Sequence, residues 1–119
     1  MSSRTIVIVE NDEFLLRLYT TKFTNEGWVV KSAPNGEVGL QIIKSVLPDV
    51  VMLDVEMPQK DGLAVLKELK SDTATKHIPV LMLTNSSNPE HVDEAIKLGA
   101  AEYLIKALFQ PLPTAKNEL

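Results

Sequence analysis

Four stretches of this 119-residue chain carry side chains able to do chemistry, and each follows an apolar run. Glu10-Asn11-Asp12-Glu13 comes after Ile6-Val7-Ile8-Val9, and Asp54, with Glu56 two residues on, comes after Val50-Val51-Met52-Leu53. Thr84-Asn85-Ser86-Ser87 follows Ile78-Pro79-Val80-Leu81-Met82-Leu83, and Lys106 follows Tyr103-Leu104-Ile105. Clustered carboxylates repel one another and raise one another's pKa unless a cation intervenes. Hard oxygen donors suit Mg2+, which keeps several waters and is completed by phosphate oxygens. A lysine and a hydroxyl aimed at the same point supply the charge and hydrogen bond that a phosphoryl group needs. By chemistry alone the set reads as carboxylates, a divalent metal ion and a phosphoryl group. Taken singly, each residue has a plainer reading. Asp12 or Glu13 can cap a helix, Thr84 can be a loop hydroxyl, and Lys106 can be a solvated surface lysine. Asp54 resists such a reading, because a carboxylate at the end of a buried strand is costly without partners.

The elements that must position these residues follow from periodicity. The apolar run at residues 6–9 is continuous and β-branched, as in a strand covered on both faces. Further strands are predicted at Trp28-Val29-Val30, at 50–53, at 78–83 with Pro79 near its start, and at 103–105. Residues 13–26 read as a helix, with Phe14, Leu15, Leu18, Tyr19 and Phe23 inward and Gly27 as its stop. A second helix spans 37–46 with Val38, Ile42, Ile43 and Val46 inward, and Pro48 breaks it. A third spans about 62–70 on Leu63, Leu66 and Leu69. Asn88-Pro89 opens a fourth, to about residue 98, closed by Gly99. The tail, 107–119, holds Pro111 and Pro113 and leaves room for only a short last helix. Strict βα alternation predicts an α/β fold, a parallel sheet with right-handed crossovers and helices on both faces. Sites in such sheets lie beyond the carboxyl ends of the strands, which is where all four stretches fall.

Composition narrows the classes. Hydrophobic residues at 45% against 24% charged ones are the balance of a single domain with a real core. The chain contains no cysteine, which excludes disulfides, thiolate-bound metal and thiol catalysis. A net charge of −4 argues against a nucleic-acid module held by a basic surface. The first apolar run is too short for a signal peptide or a membrane span. One acidic domain covering residues 1–119 is expected, cytoplasmic and off the membrane, with little room for an output module within it; it is either a stand-alone unit or a portion cut from a longer protein.

The order and spacing of the four stretches resemble the receiver domain of two-component response regulators. Ile6-Val7-Ile8-Val9-Glu10 is similar to that family's acidic strand-one motif. Val51-Met52-Leu53-Asp54-Val55-Glu56-Met57-Pro58 with Asp61-Gly62 is similar to its phosphoacceptor motif. Pro79 to Thr84 resembles the switch-threonine strand, and Gly99 to Lys106 the final motif. The resemblance implies a doubly wound, five-stranded (βα)5 flavodoxin-like sheet in order 2-1-3-4-5. It implies Asp54 as acceptor of a phosphoryl group from a histidine kinase or histidine phosphotransfer protein. Mg2+ (or Mn2+) would be held by Glu10 through water, by Asn11, by Asp54 and by the main-chain carbonyl of Glu56. Thr84 and Lys106 would contact the phosphoryl oxygens, and Tyr103 would follow Thr84, changing the surface of helix four, strand five and helix five. A downstream protein or a second copy of the chain would read that surface. The domain would assist only its own phosphorylation, not act as an enzyme on other molecules.

Four positions depart from the family pattern. Asn11 stands where a second metal-binding Asp is usual, which removes one negative charge and weakens Mg2+ binding. Ala107 replaces the proline that usually follows the lysine, so a trans Lys106–Ala107 bond is expected. Asn85 replaces a small residue after the switch threonine, where it either slows attack by water or faces solvent. Leu16 lies off the inward stripe of the first helix, as an apolar knob on the side where partner helices dock. Asn11 and Ala107 also open a second reading, a pseudo-receiver that binds partners without phosphorylation. A haloacid-dehalogenase-type phosphatase would need a second Asp where Glu56 stands. A flavin carrier would need a phosphate loop in place of the acids at 10–13.

Overall fold

A computed structural model describes residues 3–57, 60–84 and 89–105. Five strands form, β1 (Thr5–Val9), β2 (Val29–Ala33), β3 (Val50–Asp54), β4 (Val80–Thr84) and β5 (Glu102–Ile105). They alternate with α1 (Glu13–Asn25), α2 (Gly36–Val46), α3 (Gly62–Ser71) and α4 (Pro89–Lys97). Every pairing is parallel and the sheet order is β2-β1-β3-β4-β5, the doubly wound arrangement expected. Side chains alternate across each strand, so one sheet carries two cores. Val7, Val9, Val51, Leu53, Val80 and Met82 face α2, α3 and α4, while Ile6, Ile8, Met52 and Leu83 face α1.

Register decides what the strands deliver. Val9 pairs with Leu53, Asp54 with Leu83 and Thr84 with Ile105. The central strands therefore end level, and the residues leaving them share one edge. Three helices that start from this edge, α1, α2 and α3, are capped alike. Asp12, Asn35 and Asp61 accept hydrogen bonds from the main-chain N–H of Leu15, Val38 and Ala64, at 3.1, 2.9 and 2.9 Å. Each such cap contributes about 1 kcal/mol. Asp12 is thus spent on its helix. At the far end of α1, Gly27 takes φ +94 and lets the chain turn back, with Trp28 N–H donating to the Phe23 carbonyl at 3.0 Å.

Four sequence expectations change. Phe14 is 69% exposed on the first turn of α1, whereas Leu15 and Tyr19 are buried. Leu16 is half-buried against the α1-side core and not a free knob. Both follow from the face that α1 turns to the sheet: the contact stripe runs through 15 and 19, so 16 flanks it and 14 points away. In α2 the buried residues are Gly36, Gly39, Leu40 and Ile43, with Val38, Ile42 and Val46 only half-buried. The two glycines let the helix backbone settle closely on the sheet; a Cβ on Gly39 would stand 2.7 Å from a Val9 methyl. β2 also runs on to Ala33, because an edge strand accepts the polar Lys31 and Ser32. Asn85, Lys106, Ala107 and the expected short last helix lie outside the described residues, among which no peptide bond is cis.

Gly62 ties this scaffold to Asp54. Its N–H donates to the Val55 carbonyl at 3.0 Å, and a Cβ there would collide with the main-chain carbonyl of Asp54. Since backbone cannot yield as a side-chain tip does, Gly62→Ala is expected to destabilise the domain by roughly 1–3 kcal/mol. Urea denaturation checks this as a fall in midpoint; an unchanged midpoint would mean that the close approach is relieved at no cost.

Candidate functional site

Glu10, Asp54 and Thr84 are each 0% exposed, the first just beyond β1 and the others as last residues of β3 and β4. Buried carboxylates need hydrogen-bond donors, and the loop backbone supplies them. The Asp12 N–H donates to Glu10 Oε2 at 2.9 Å, and the Glu56 N–H donates to Asp54 Oδ1 at 3.2 Å. Both bonds reach back two residues, so each acid is held by the turn that immediately follows its strand.

Asn11 closes the other side of Asp54. With Nδ2 turned inward, its amide donates to Asp54 Oδ2 at 2.8 Å and to the Glu56 carbonyl at 3.2 Å. Turned over, the same amide presents Oδ1 beside those two oxygens. Amide oxygen, carboxylate oxygen and main-chain carbonyl then form the donor set of a hard divalent cation, with the Glu10 carboxylate adding charge behind them. Among the described residues no three His, Cys, Asp or Glu side chains are grouped to hold a metal ion. A cation at this edge therefore depends on the amide and the carbonyl. The residues present fit such an ion, with one charge fewer than an aspartate at position 11 would give.

Thr84 donates its hydroxyl hydrogen bond to Glu56 Oε2. This contact is absent from the sequence expectations, in which Glu56 was one of the clustered carboxylates and its carbonyl a metal ligand. Its signal was an acid two residues after a strand end, on the side facing the next strand. Tyr103 pairs with Met82, two residues before Thr84 and on the same face, so its ring reaches diagonally toward Thr84. The ring packs on the core shared with α2, α3 and α4, and its hydroxyl is buried. Burial pushes the Tyr103 pKa up, the nearby Thr84 side chain pulls it back in part, and the Glu56 charge raises it again. Thr84, Glu56 and Tyr103 are thus one contiguous polar group.

Tyr19 lies under the acids from the α1 side. Its pKa is pushed up to about 12, first by burial and then by the charges of Glu10, Asp54 and Asp12. By sequence Tyr19 was only a core residue of the helical stripe. Only the tilt of α1 shows that the polar end of its ring comes within electrostatic reach of the cluster. Of the sequence candidates, Glu10, Asn11, Asp54, Glu56, Thr84 and Tyr103 are brought together. Leu16 is not among them, and Asn85, Lys106 and Ala107 fall outside the described residues.

Known proteins share this arrangement. The family model described as "Response regulator receiver domain" matches residues 6–112. The response regulator PleD of Caulobacter vibrioides is 36% identical over 108 residues, 91% of this chain and 24% of PleD. The phosphorylated cyanobacterial phytochrome response regulator RcpA superposes with a TM-score of 0.82 at 28% identity, covering 88% of this chain and 81% of that one. The Mn2+-bound form of response regulator Rcp1 superposes at 0.79 with 27% identity, covering 87% and 81%. This chain spans about a quarter of the length of the curated relatives it matches. With its parallel 2-1-3-4-5 sheet and the family match across residues 6–112, the chain belongs to the response regulator receiver domains, the phosphorylatable modules of two-component signalling.

Proposed function

We propose that Asp54 is the phosphoacceptor. The observation that carries this reading is the convergence of Asp54 with Glu10, Asn11, Glu56 and Thr84 at one edge of the sheet. A carboxylate oxygen of Asp54 attacks the phosphorus of a phosphohistidine on a partner kinase or phosphotransfer protein. The phosphorus–nitrogen bond breaks, its electron pair leaves with the imidazole, and Asp54 becomes an acyl phosphate. Asn11 through its amide oxygen, Asp54 and the Glu56 carbonyl would hold Mg2+ or Mn2+, with Glu10 acting through water. When bound, the ion supplies positive charge between the acids and the incoming phosphoryl oxygens. Thr84 bonds one phosphoryl oxygen, Lys106 pairs with the charge, and Tyr103 follows Thr84. A downstream protein or a second copy of the chain reads the altered α4–β5 side, and chemistry beyond Asp54 itself is not part of the role. The domain works in the cytoplasm; no helix of the described residues is long and apolar enough to cross a membrane.

The donor is placed against α1. Phe14 is the exposed apolar residue at the mouth of the site, next to Asn11 and Asp12, and Leu16 offers only its outer half. An exposed aromatic on a helix turn is the kind of anchor that partner helices bury.

Three measurements follow. Acetyl phosphate with Mg2+ should add the mass of one phosphoryl group to the intact chain and none to Asp54→Asn. A wild-type chain that gains nothing would overturn the reading. Asn11→Asp should tighten Mg2+ binding by about tenfold, since ligand charge sets affinity at oxygen sites. Calorimetry reads this directly, and equal affinities would remove Asn11 from the ligand set. Phe14→Ala should slow phosphoryl transfer from the protein donor by about fivefold or more while leaving acetyl phosphate labelling unchanged. Equal slowing of both would assign Phe14 to the site's structure and not to docking.

A further inference from the structure

Asp54 is fully buried, and two of its contacts are loop residues, Asn11 at Oδ2 and Glu56 through its N–H at Oδ1. One of them, Glu56, reaches across to β4 and takes the Thr84 hydroxyl bond. A carboxylate oxygen and a phosphoryl oxygen are the same kind of acceptor for a hydroxyl: anionic, strong and short in contact. Thr84 thus already has an anionic partner of the class that phosphorylation would bring. The Tyr103 ring is already turned in behind it, with its hydroxyl buried.

We propose that the Glu56 carboxylate is an internal stand-in for a phosphoryl oxygen, holding Thr84, and through Thr84 the inward Tyr103 ring, before any phosphoryl group arrives. The inference rests on Asp54 as phosphoacceptor and adds a positioning residue to that chemistry. Phosphorylation then exchanges one anionic acceptor on Thr84 for another instead of creating the first. A two-state element shifts only by the difference in affinity that a ligand has for its two states. Because Glu56 already supplies most of that difference, the unphosphorylated domain lies largely in the arrangement in which Tyr103 is inward. A charge-assisted hydrogen bond corresponds to a bias of about tenfold or more. The α4–β5 side is therefore available to a partner at a substantial basal level, and the release of Glu56 from Thr84 becomes the local event that marks phosphorylation.

The chain contains only two tyrosines, Tyr19 and Tyr103, so fluorine NMR of the 3-fluorotyrosine protein reports on the ring with two resonances. The spectra compare wild type, Glu56→Gln and Glu56→Ala, each alone and with Mg2+ and beryllofluoride. In the unloaded wild type, the Tyr103 resonance should lie close to its position in the beryllofluoride adduct. Glu56→Gln, which keeps an acceptor oxygen without the charge, should stay nearer wild type than Glu56→Ala. In unloaded Glu56→Ala the resonance should move away, then return when beryllofluoride gives Thr84 a new anionic acceptor. A Tyr103 resonance that coincides in unloaded wild type and unloaded Glu56→Ala would overturn the proposal. Failure of all three proteins to respond to beryllofluoride would instead count against Asp54 as phosphoacceptor, while the comparison of the unloaded proteins still decides the role of Glu56.

Discussion

Two carboxyl groups, those of Glu10 and Asp54, are buried at adjacent strand ends, and the site is organised around keeping them satisfied. Burial of a charged oxygen is tolerable only where hydrogen-bond donors or a cation replace the water it loses. Here the donors come from the turns themselves, Asp12 N–H to Glu10 and Glu56 N–H to Asp54, so local backbone geometry and local charge are set together. The same pressure explains the rest of the cluster. Asn11 can offer either end of its amide to Asp54, and the phenol of Tyr19 is raised toward about 12 by burial and by the surrounding acids. An edge of this kind is poised for positive charge, whether from a divalent ion or from a lysine.

That electrostatic demand is joined to a mechanical one. Thr84 is the last residue of its strand and bonds Glu56 from the neighbouring loop, while Tyr103 packs behind it on β5. The loop after β3, the end of β4 and the β5 strand thus meet at one hydroxyl. A change in which anion that hydroxyl meets is a local event. It is passed to β5 because the core behind Tyr103 is close-packed and cannot deform by degrees. The glycine at 62 serves the same end from the other side, since it lets α3 start directly against the Asp54 carbonyl, at the strand end that carries Asp54.

The strands and their order of appearance were legible because a doubly covered parallel sheet demands unbroken apolar runs, and those runs leave a clear mark in sequence. Helix faces were less so. Phe14, Leu15 and Leu16 are all apolar, and helical spacing alone does not tell which of them meets the sheet. The packing of α1 puts Leu15 and Tyr19 inward, leaves Leu16 half-covered and turns Phe14 to solvent. In α2, periodicity marked Val38, Ile42 and Val46, whereas the helix comes close to β1 at Gly39 and buries Leu40 beside it. β2 was cut short in the sequence reading, because an edge strand carries polar residues that resemble a loop.

For the site, residue types and spacing by themselves determined the chemistry: hard oxygen donors, a hydroxyl and a lysine, each just after a strand. The reason is that parallel α/β connectivity sends every strand end to the same edge, so linear position already implies proximity. The tertiary structure alone decided the pairings within that edge. Which acid takes which backbone N–H, that Asp12 caps α1, that Glu56 reaches Thr84 and that Tyr19 lies beneath the acids all depend on strand register and helix tilt. Those are set by the packing of two whole cores, to which residues far from the site contribute as much as those within it.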